Sequence, residues 1–401
     1  MAVNTTIDRS EGGRTKLGAG VTVTVLGSTG SVGVQTMDVA ALHGLHVEAI
    51  AGGRNITLLE EQIRRFRPEF CAVDDEAAAK QLKIAVADTG TKILPGRAGV
   101  LAAAAGGKSS VVLNSVMGIA GLEPTLTALR NGKNVALANK ETLVTAGEIV
   151  MREAKEHNAV ILPVDSEHCA IFQCLNGEPR TRLKRILLTC SGGSFYGRTR
   201  ESLRGVTRAE ALAHPTWKMG AKITVDSASL MNKGMELIEA VRLFDVAPEQ
   251  VKVLVHRESV IHSMVEYVDH AVMAQLSVPD MRLCIQYALT YPDRMPSCLN
   301  ELDLVKIGRL TFAEPDEETF TLLPLAREAV KEGGTKTAIL NGANEQAVAY
   351  FLEDRISFTD IFDLVSETVR ETAGKQNPML SDIAEADRAA RETVRGKVQS
   401  L

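Results

Sequence analysis

The run AVILPV (159–164) ends in Asp165-Ser166-Glu167-His168. Carboxylates at i and i+2 of an extended segment point to one side, so Asp165 and Glu167 can bind a single cation. Oxygen ligands favour a hard ion, Mg2+ or Mn2+, over zinc. The same residues also suit a helix start, because Asp or Ser before CAIFQCL makes a good N-cap. A third carboxylate, Glu236, ends the segment DSASLMNKGME, in which Ser227, Asn232 and Lys233 precede it. Hydroxyl, amide and ammonium groups together can grip a phosphate, although MNKGMELIEAVRLF also reads as an amphipathic helix with polar residues on its surface. In TCSGGS (189–194), Ser191 and the glycine amides can face the same anion.

Two further segments complete this set. Lys140, in NVALANKE, stands with Asn139 and Glu141 just past a strand, at the edge where open α/β sheets bind ligands. A lysine there can pair with an anion or polarise a hydroxyl; Asn-Lys-Glu is also an ordinary surface helix start. In His214-Pro-Thr-Trp217-Lys-Met-Gly220, Pro and Gly bracket the single tryptophan of the chain. A lid that excludes water needs such an aromatic, and a buried structural tryptophan fits the segment as well.

Near the start, VTVTVLG leads into Gly27-x-x-Gly30-x-x-Gly33 and then a helical pattern. Glycines between strand and helix let a backbone approach a pyrophosphate, with amides from Thr29, Gly30, Ser31 and Val32 as contacts. The spacing departs from G-x-G-x-x-G, so a merely tight turn is the alternative. After the second strand an NAD enzyme keeps an acid for the ribose 2′-hydroxyl. Here the sequence is Ala51-Gly52-Gly53-Arg54-Asn55, and Arg54 suits a 2′-phosphate, which favours NADP.

These residues need elements to place them. Short β-rich runs (VTVTVLG, HVEAIAG, FCAVD, SVVLNSV, NVALAN, AVILPV) alternate with helical stretches, which predicts a Rossmann-like, doubly wound parallel sheet. A second α/β region follows, with strand candidates RILLTC, KITVDS, VKVLVH, SMVEYV and MAQLSV. After a Pro-containing connector only helical patterns remain. The division expected is a disordered lead-in (1–20), a cofactor domain (21–164), a catalytic domain (165–290), a connector (291–317) and a helical domain (318–401), within an α/β fold. At 401 residues the chain is too long for one ordinary core. Its net charge of −5 argues against nucleic acid or an anionic membrane as partner, and no apolar run approaches the ~18 residues of a membrane span. Six cysteines without CxxC spacing, and no secretory leader, predict free thiols in the cytoplasm.

Taken together, GSTGSVG, AGGRN, ANKETLV, LPVDSEH, SGGS, HPTWKMG, VDSASLMNKGMELIEA, SVIHSMVEY, PDMR and NGANE resemble, in order, the 1-deoxy-D-xylulose 5-phosphate reductoisomerase family. The resemblance implies an NADPH domain, a catalytic domain with a lid, a C-terminal helical domain and a homodimer acting on a small phosphorylated sugar. It implies that Asp165, Glu167 and Glu236 hold Mg2+ or Mn2+. It further implies that Ser191, Ser227, Asn232 and Lys233 clamp the phosphate, and that Lys140 and Ser166 touch substrate. His214 and Trp217 correspond to the lid, and Gly53, Arg54, Asn55, Asn139, Glu141 and Gly220 to NADPH-side positions. Lys140, Asp165, Glu167, His214 and Glu236 form the implied catalytic set; the proton roles of His168 and His262 stay open. Cys190 stands where the family more often has Gly, and Arg257-Glu258 where it has Pro-Gln. A semialdehyde dehydrogenase using Cys169 or Cys190, and a nonenzymatic NADP-binding sensor, are the competing readings.

Overall fold

The computed structural model describes residues 20–217 and 219–400. Except for Gly20, the lead-in expected over 1–20 therefore lies outside the described residues.

The first half runs β1 (Thr22–Leu26), α1 (Ser31–Leu42), β2 (His46–Gly52), α2 (Ile56–Phe66), β3 (Phe70–Val73), α3 (Glu76–Ala85), β4 (Lys92–Pro95), α4 (Gly96–Ala105), β5 (Val111–Asn114), α5 (Leu122–Arg130), β6 (Asn134–Leu137), α6 (Lys140–Glu156) and β7 (Ile161–Pro163). The strands form one sheet in the order β4-β3-β2-β1-β5-β6-β7, and every neighbouring pair is parallel. Central strands are buried on both faces, as Val23, Val25, Val111, Val112 and Leu113 show. Helices cover both sides, which is why most of these strands read as largely apolar runs; β1 alternates Thr and Val, yet Thr24 is buried as well. Strand order reverses between β1 and β5, which opens a crevice at their C-terminal ends. The half-exposed edge strand β4, only Lys-Ile-Leu-Pro, gave too short a signal to be expected.

The chain continues through α7 (Ser166–Cys174), β8 (Leu183–Cys190), α8 (Arg208–Ala211), α9 (Ala221–Ala228), α10 (Met231–Phe244), β9 (Val251–Val255), β10 (Ile261–Tyr267), β11 (Val272–Leu276) and α11 (Met281–Thr290). Its second sheet has the order β11-β10-β8-β9; β8 and β9 are parallel, and β10 is antiparallel to both β8 and β11. KITVDS, expected as a strand, is helix α9. Alternation would have put Ile223, Val225 and Ser227 on one face. In the helix, Ile223 and Ser227, four apart, line a cavity while Val225 and Ala228 enter the core, and the Thr224 hydroxyl bonds back to the Gly220 carbonyl at 2.8 Å.

Helices α12 (Leu304–Ile307), α13 (Leu322–Glu332), α14 (Lys336–Leu352), α15 (Phe358–Glu371) and α16 (Leu380–Gln399) close the chain, in agreement with the helical texture expected there. α14 is buried almost all round, packing against α13, α15 and α16 and reaching α6 and α9. One apolar cluster runs from Leu126 and Leu143 through Leu237 to Ile339 and Val394, so sheet and bundle share a core. Buried Asn344 ties α14 to α9 by donating to Asp226 Oδ1 at 2.8 Å.

Candidate active site

Four helix ends and a turn meet around a cavity of about 520 Å3 between the two sheets. α6 begins with Lys140, whose N-cap Asn139 accepts from the Thr142 amide at 2.9 Å. α7 begins after Asp165, whose carboxylate accepts from the Glu167 amide at 3.1 Å. The helix-start reading of this segment is realised: Asp165 caps α7 with Oδ1, and its Oδ2 lies 3.0 Å from Lys140 Nζ. α10 begins after its N-cap Leu230, a bulky residue held at φ 59°. Backbone in that region is strained for Leu, and this corner turns Asn232, Lys233 and Glu236 into the cavity.

Oxygens of Asp165, Glu167 and Glu236 all lie within 4.8 Å of one another. Two ammonium groups sit among them. Lys140 Nζ lies 2.8 Å from Glu236 Oε1 and 2.8 Å from Asn232 Oδ1, and Lys233 Nζ lies 3.1 Å from Glu167 Oε1 and also bonds Glu236. Burial opposes the charge on Lys140, yet Asp165 and Glu236 outweigh it and hold the ammonium well above its usual range. Burial and then the Glu236 charge push the Glu167 carboxyl up to about 7. The cluster is short of positive charge at Glu167, and its oxygen-only donors match a hard divalent cation.

Behind it, His168 Nδ1 lies 2.9 Å from Asp165 Oδ1 and 3.5 Å from Glu239 Oε2, and its Nε2 lies 2.9 Å from the Glu236 carbonyl. Burial opposes protonation, but Glu239 and Asp165 raise the imidazole to about 9. Both N–H groups are committed, so His168 braces the backbone of α10 and the carboxylate of Asp165. His262 Nε2 is 2.8 Å from Ser277 Oγ, and burial lowers the ring to about 4.

The other end of the cavity is neutral. His214 Nδ1 accepts from the amides of Thr216 and Trp217 at 3.2 and 2.9 Å, so Nε2 carries the proton, 3.0 Å from Ser191 Oγ and 3.1 Å from Ser227 Oγ. Burial and nearby Arg257 keep this imidazole below its usual range. A Cβ on Gly193, at φ 69°, would lie 2.3 Å from the Ser227 carbonyl oxygen; only glycine lets the Ser191 turn close on α9. Trp217 lines the same cavity, its ring centre 6.2 Å from that of His262. Lys218 lies outside the described residues.

Of the four residues expected at one phosphate clamp, Ser191 and Ser227 meet here through His214. Asn232 and Lys233 instead bond at the acidic end, to Lys140, Glu167 and Glu236. Opposite charges in a dry site attract more strongly than an ammonium and a hydroxyl.

Of the residues expected at the cofactor, Ser31, Val32 and Gly220 line the same cavity. A Cβ at Gly33 would fall 2.1 Å from the Gly27 carbonyl oxygen, which explains the glycine pair as close packing of turn on helix. Ser31 and Val32, at the start of α1, line the cavity, with Thr29 and Gly30 just before it. Gly53, Arg54 and Asn55 follow β2; Asn55 caps α2, and Arg54, 86% exposed, bonds Asp75 Oδ2 at 2.8 Å. A carboxylate does stand beside Arg54, then, but it comes from just after β3, where it caps α3, and is already paired. Asn139 Nδ2 reaches the Gly118 carbonyl at 2.9 Å and Glu141 Oε2 at 3.2 Å, tying the loop after β5 to α6. Gly220 is the N-cap of α9 and lines the cavity.

Sequence reasoning gave no role to Leu230, Asp280 or Met281, all of which line the cavity. PDMR was the only signal for the last two, where Asp280 caps α11. Cys169 is fully buried, and burial pushes the Cys190 thiol up to about 11. Neither resembles an activated nucleophile, which counts against the dehydrogenase reading.

Family models match three stretches: 1-deoxy-D-xylulose 5-phosphate reductoisomerase over residues 23–147, its C-terminal domain over 161–244, and a DXP reductoisomerase C-terminal domain over 276–393. The 1-deoxy-D-xylulose 5-phosphate reductoisomerase of Acetivibrio thermocellus is 51% identical over 372 residues, covering 93% of this chain and 98% of that one. The protein of that name from Exiguobacterium sibiricum is 51% identical over 375 residues, covering 93% and 97%. Among solved structures, the Zymomonas mobilis reductoisomerase in complex with NADPH superposes with a TM-score of 0.90 at 40% identity, covering 95% of this chain and 100% of that one. A reductoisomerase in complex with NADPH, fosmidomycin and magnesium gives a TM-score of 0.90 at 38% identity, covering 94% and 98%.

Proposed function

The chain belongs to the 1-deoxy-D-xylulose 5-phosphate reductoisomerase family and carries out that family's NADPH- and divalent-metal-dependent isomerisation and reduction of 1-deoxy-D-xylulose 5-phosphate to 2-C-methyl-D-erythritol 4-phosphate, in the non-mevalonate route to isoprenoid precursors; we propose which of its residues do so. Asp165, Glu167 and Glu236 hold Mg2+ or Mn2+, a reading carried by the convergence of their oxygens within 4.8 Å. A cation held there supplies a Lewis acid for the substrate's ketone and neighbouring hydroxyl oxygens during rearrangement of the carbon skeleton. Lys140 and Ser166 orient those oxygens, and Lys140 also balances the carboxylates it touches.

Ser191, Ser227 and His214 receive the phosphate, and Asn232 and Lys233 close on it from the acidic side. Trp217 covers the substrate and excludes water. NADPH supplies the hydride. Its pyrophosphate suits the amides of Thr29, Gly30, Ser31 and Val32 at the start of α1. Gly53, Arg54 and Asn55 suit the 2′-phosphate end, and Asn139, Glu141 and Gly220 contact the rest of the dinucleotide. The division into cofactor (21–164), catalytic (165–290), connector (291–317) and helical (318–401) segments is the one that fits these roles.

The chain works as a homodimer. Edge strand β11 pairs on one side only and exposes Val272 and Met273 beside a cleft of about 850 Å3; open apolar edges of this kind invite pairing. Unpaired cysteines, four of them buried, support a reducing cytoplasm as its compartment. The role assignment is tested by NADPH oxidation on 1-deoxy-D-xylulose 5-phosphate after chelation. Added Mn2+ should restore the parent and leave Asp165→Asn inactive; equal recovery of both removes Asp165 from the metal site.

A further inference from the structure

Arg257 is absent from the cavity wall but grips the turn that forms it. Its Nη1 donates to the Ser191 carbonyl at 2.6 Å and the Gly193 carbonyl at 3.1 Å. Its guanidinium carbon stands 4.9 Å from the centre of the Tyr196 ring. The adjacent Glu258 faces elsewhere, accepting from Thr311 Oγ1 at 2.7 Å and the Thr311 amide at 3.2 Å, with His256 Nδ1 at 3.1 Å. The charge of Arg257 is thus set against peptide carbonyls and a ring.

In a planar trans peptide the C=O and N–H point in opposite directions. Carbonyls of Ser191 and Gly193 drawn toward Arg257 therefore turn the N–H groups of Gly192 and Ser194 away from it. The turn cannot roll out of this orientation, since it is packed on Ser227 at Gly193 and on the Tyr196 ring at Gly192. Ser191, Gly192 and Gly193 line the cavity. Around them the side chains are hydroxyls and a neutral imidazole, while Lys140 and Lys233 are engaged with carboxylates. A dianionic end group placed there meets oriented dipoles with one formal positive charge behind them.

We infer that Arg257 is a positioning and specificity-determining residue for the substrate's phosphate end, fixing the Ser191–Gly193 dipoles and adding the positive charge that selects a dianion over a neutral terminus. This rests on the assignment of Ser191 and Ser227 to the phosphate.

The test uses the full-length holoenzyme and its Arg257→Gln, Arg257→Lys and Ser227→Ala variants, with inorganic phosphate as competitor of 1-deoxy-D-xylulose 5-phosphate. Losing one charge-assisted contribution predicts that Arg257→Gln raises both the substrate KM and the phosphate inhibition constant about tenfold. Its kcat should fall by a smaller factor, its NADPH affinity should stay at the parent's value, and Arg257→Lys should recover most of the phosphate affinity. A phosphate inhibition constant unchanged in Arg257→Gln but raised in Ser227→Ala overturns the inference alone. If Ser227→Ala is also unchanged, the phosphate assignment itself fails. Equal damage in the Gln and Lys variants, extending to NADPH binding, reduces Arg257 to a scaffold and equally overturns the inference.

Discussion

At one end of the cavity three carboxylates and two ammonium groups meet almost wholly buried, whereas at the other the groups are two hydroxyls, a neutral imidazole and a glycine turn. Buried charges persist only when paired, and removing one partner leaves the other uncompensated. Hydroxyls and peptide dipoles left without a partner cost less, about 1–3 kcal/mol each. The acidic end is consequently held by paired charges, and the neutral end by backbone contacts: the Ser191–Gly193 turn is packed on α9 and gripped by Arg257. On the roles proposed above, the chemical step belongs to the first and most of the affinity for the anionic group to the second.

The sharpest way to break the comparison is to remove a charge from the acidic end. Lys140→Ala should lower kcat by about a hundredfold or more, the usual scale for one electrostatic or proton-transfer contributor, with NADPH affinity little changed. Stopped-flow measurement of the chemical step checks this; a variant affected only in KM would move Lys140 to the binding side. At the neutral end Ser227→Ala should raise KM for the substrate about tenfold, the cost of one hydrogen bond to a charged group, and leave Mn2+ affinity as it was.

Protons separate the two ends further. Because burial and Glu236 push the Glu167 carboxyl up to about 7, Glu167 must lose a proton to ligate a cation. Apparent Mn2+ affinity should therefore rise as pH increases through about 7, with proton release near pH 6.5 measured by calorimetry in two buffers. Glu167→Gln should abolish that release. His214 is held below its usual value, so across the same range affinity for the phosphate end should follow only the phosphate's own second ionisation, near pH ~6, with no added step from His214. A smaller effect is expected at the cofactor edge, where Arg54 is highly exposed and already bonded to Asp75. Arg54→Asp should weaken NADPH several-fold and NADH less; equal losses in fluorescence titrations would remove Arg54 from 2′-phosphate selection.

Legibility in the sequence follows the same division. The parallel sheet was readable because strands buried on both faces leave largely apolar runs, and of the closing helices α13, α15 and α16 because amphipathic patterns mark them, with a Ser357 capping box at α15; α14, buried almost all round, was readable by its length and apolar content. Asp165 and Glu167 were legible as a pair from their i, i+2 spacing, and Glu236 as a candidate third carboxylate, with the family pattern supplying the reason to join segments some seventy residues apart. Three features depended on tertiary context. KITVDS alternates like a strand, yet packing between α10 and α14 makes it a helix. Leu230 adopts its left-handed backbone with no local cue, and Asn232 and Lys233 turn to the carboxylates instead of the serines because the strongest charges nearby lie there.

The three-carboxylate site is tested most directly by titrating Mn2+ into the parent and Glu236→Gln, with the free ion followed by electron paramagnetic resonance. The account predicts one tight site per parent chain and, with one of few protein ligands lost, at least a tenfold weaker site in the variant. Equal affinity and stoichiometry in the two proteins would contradict it.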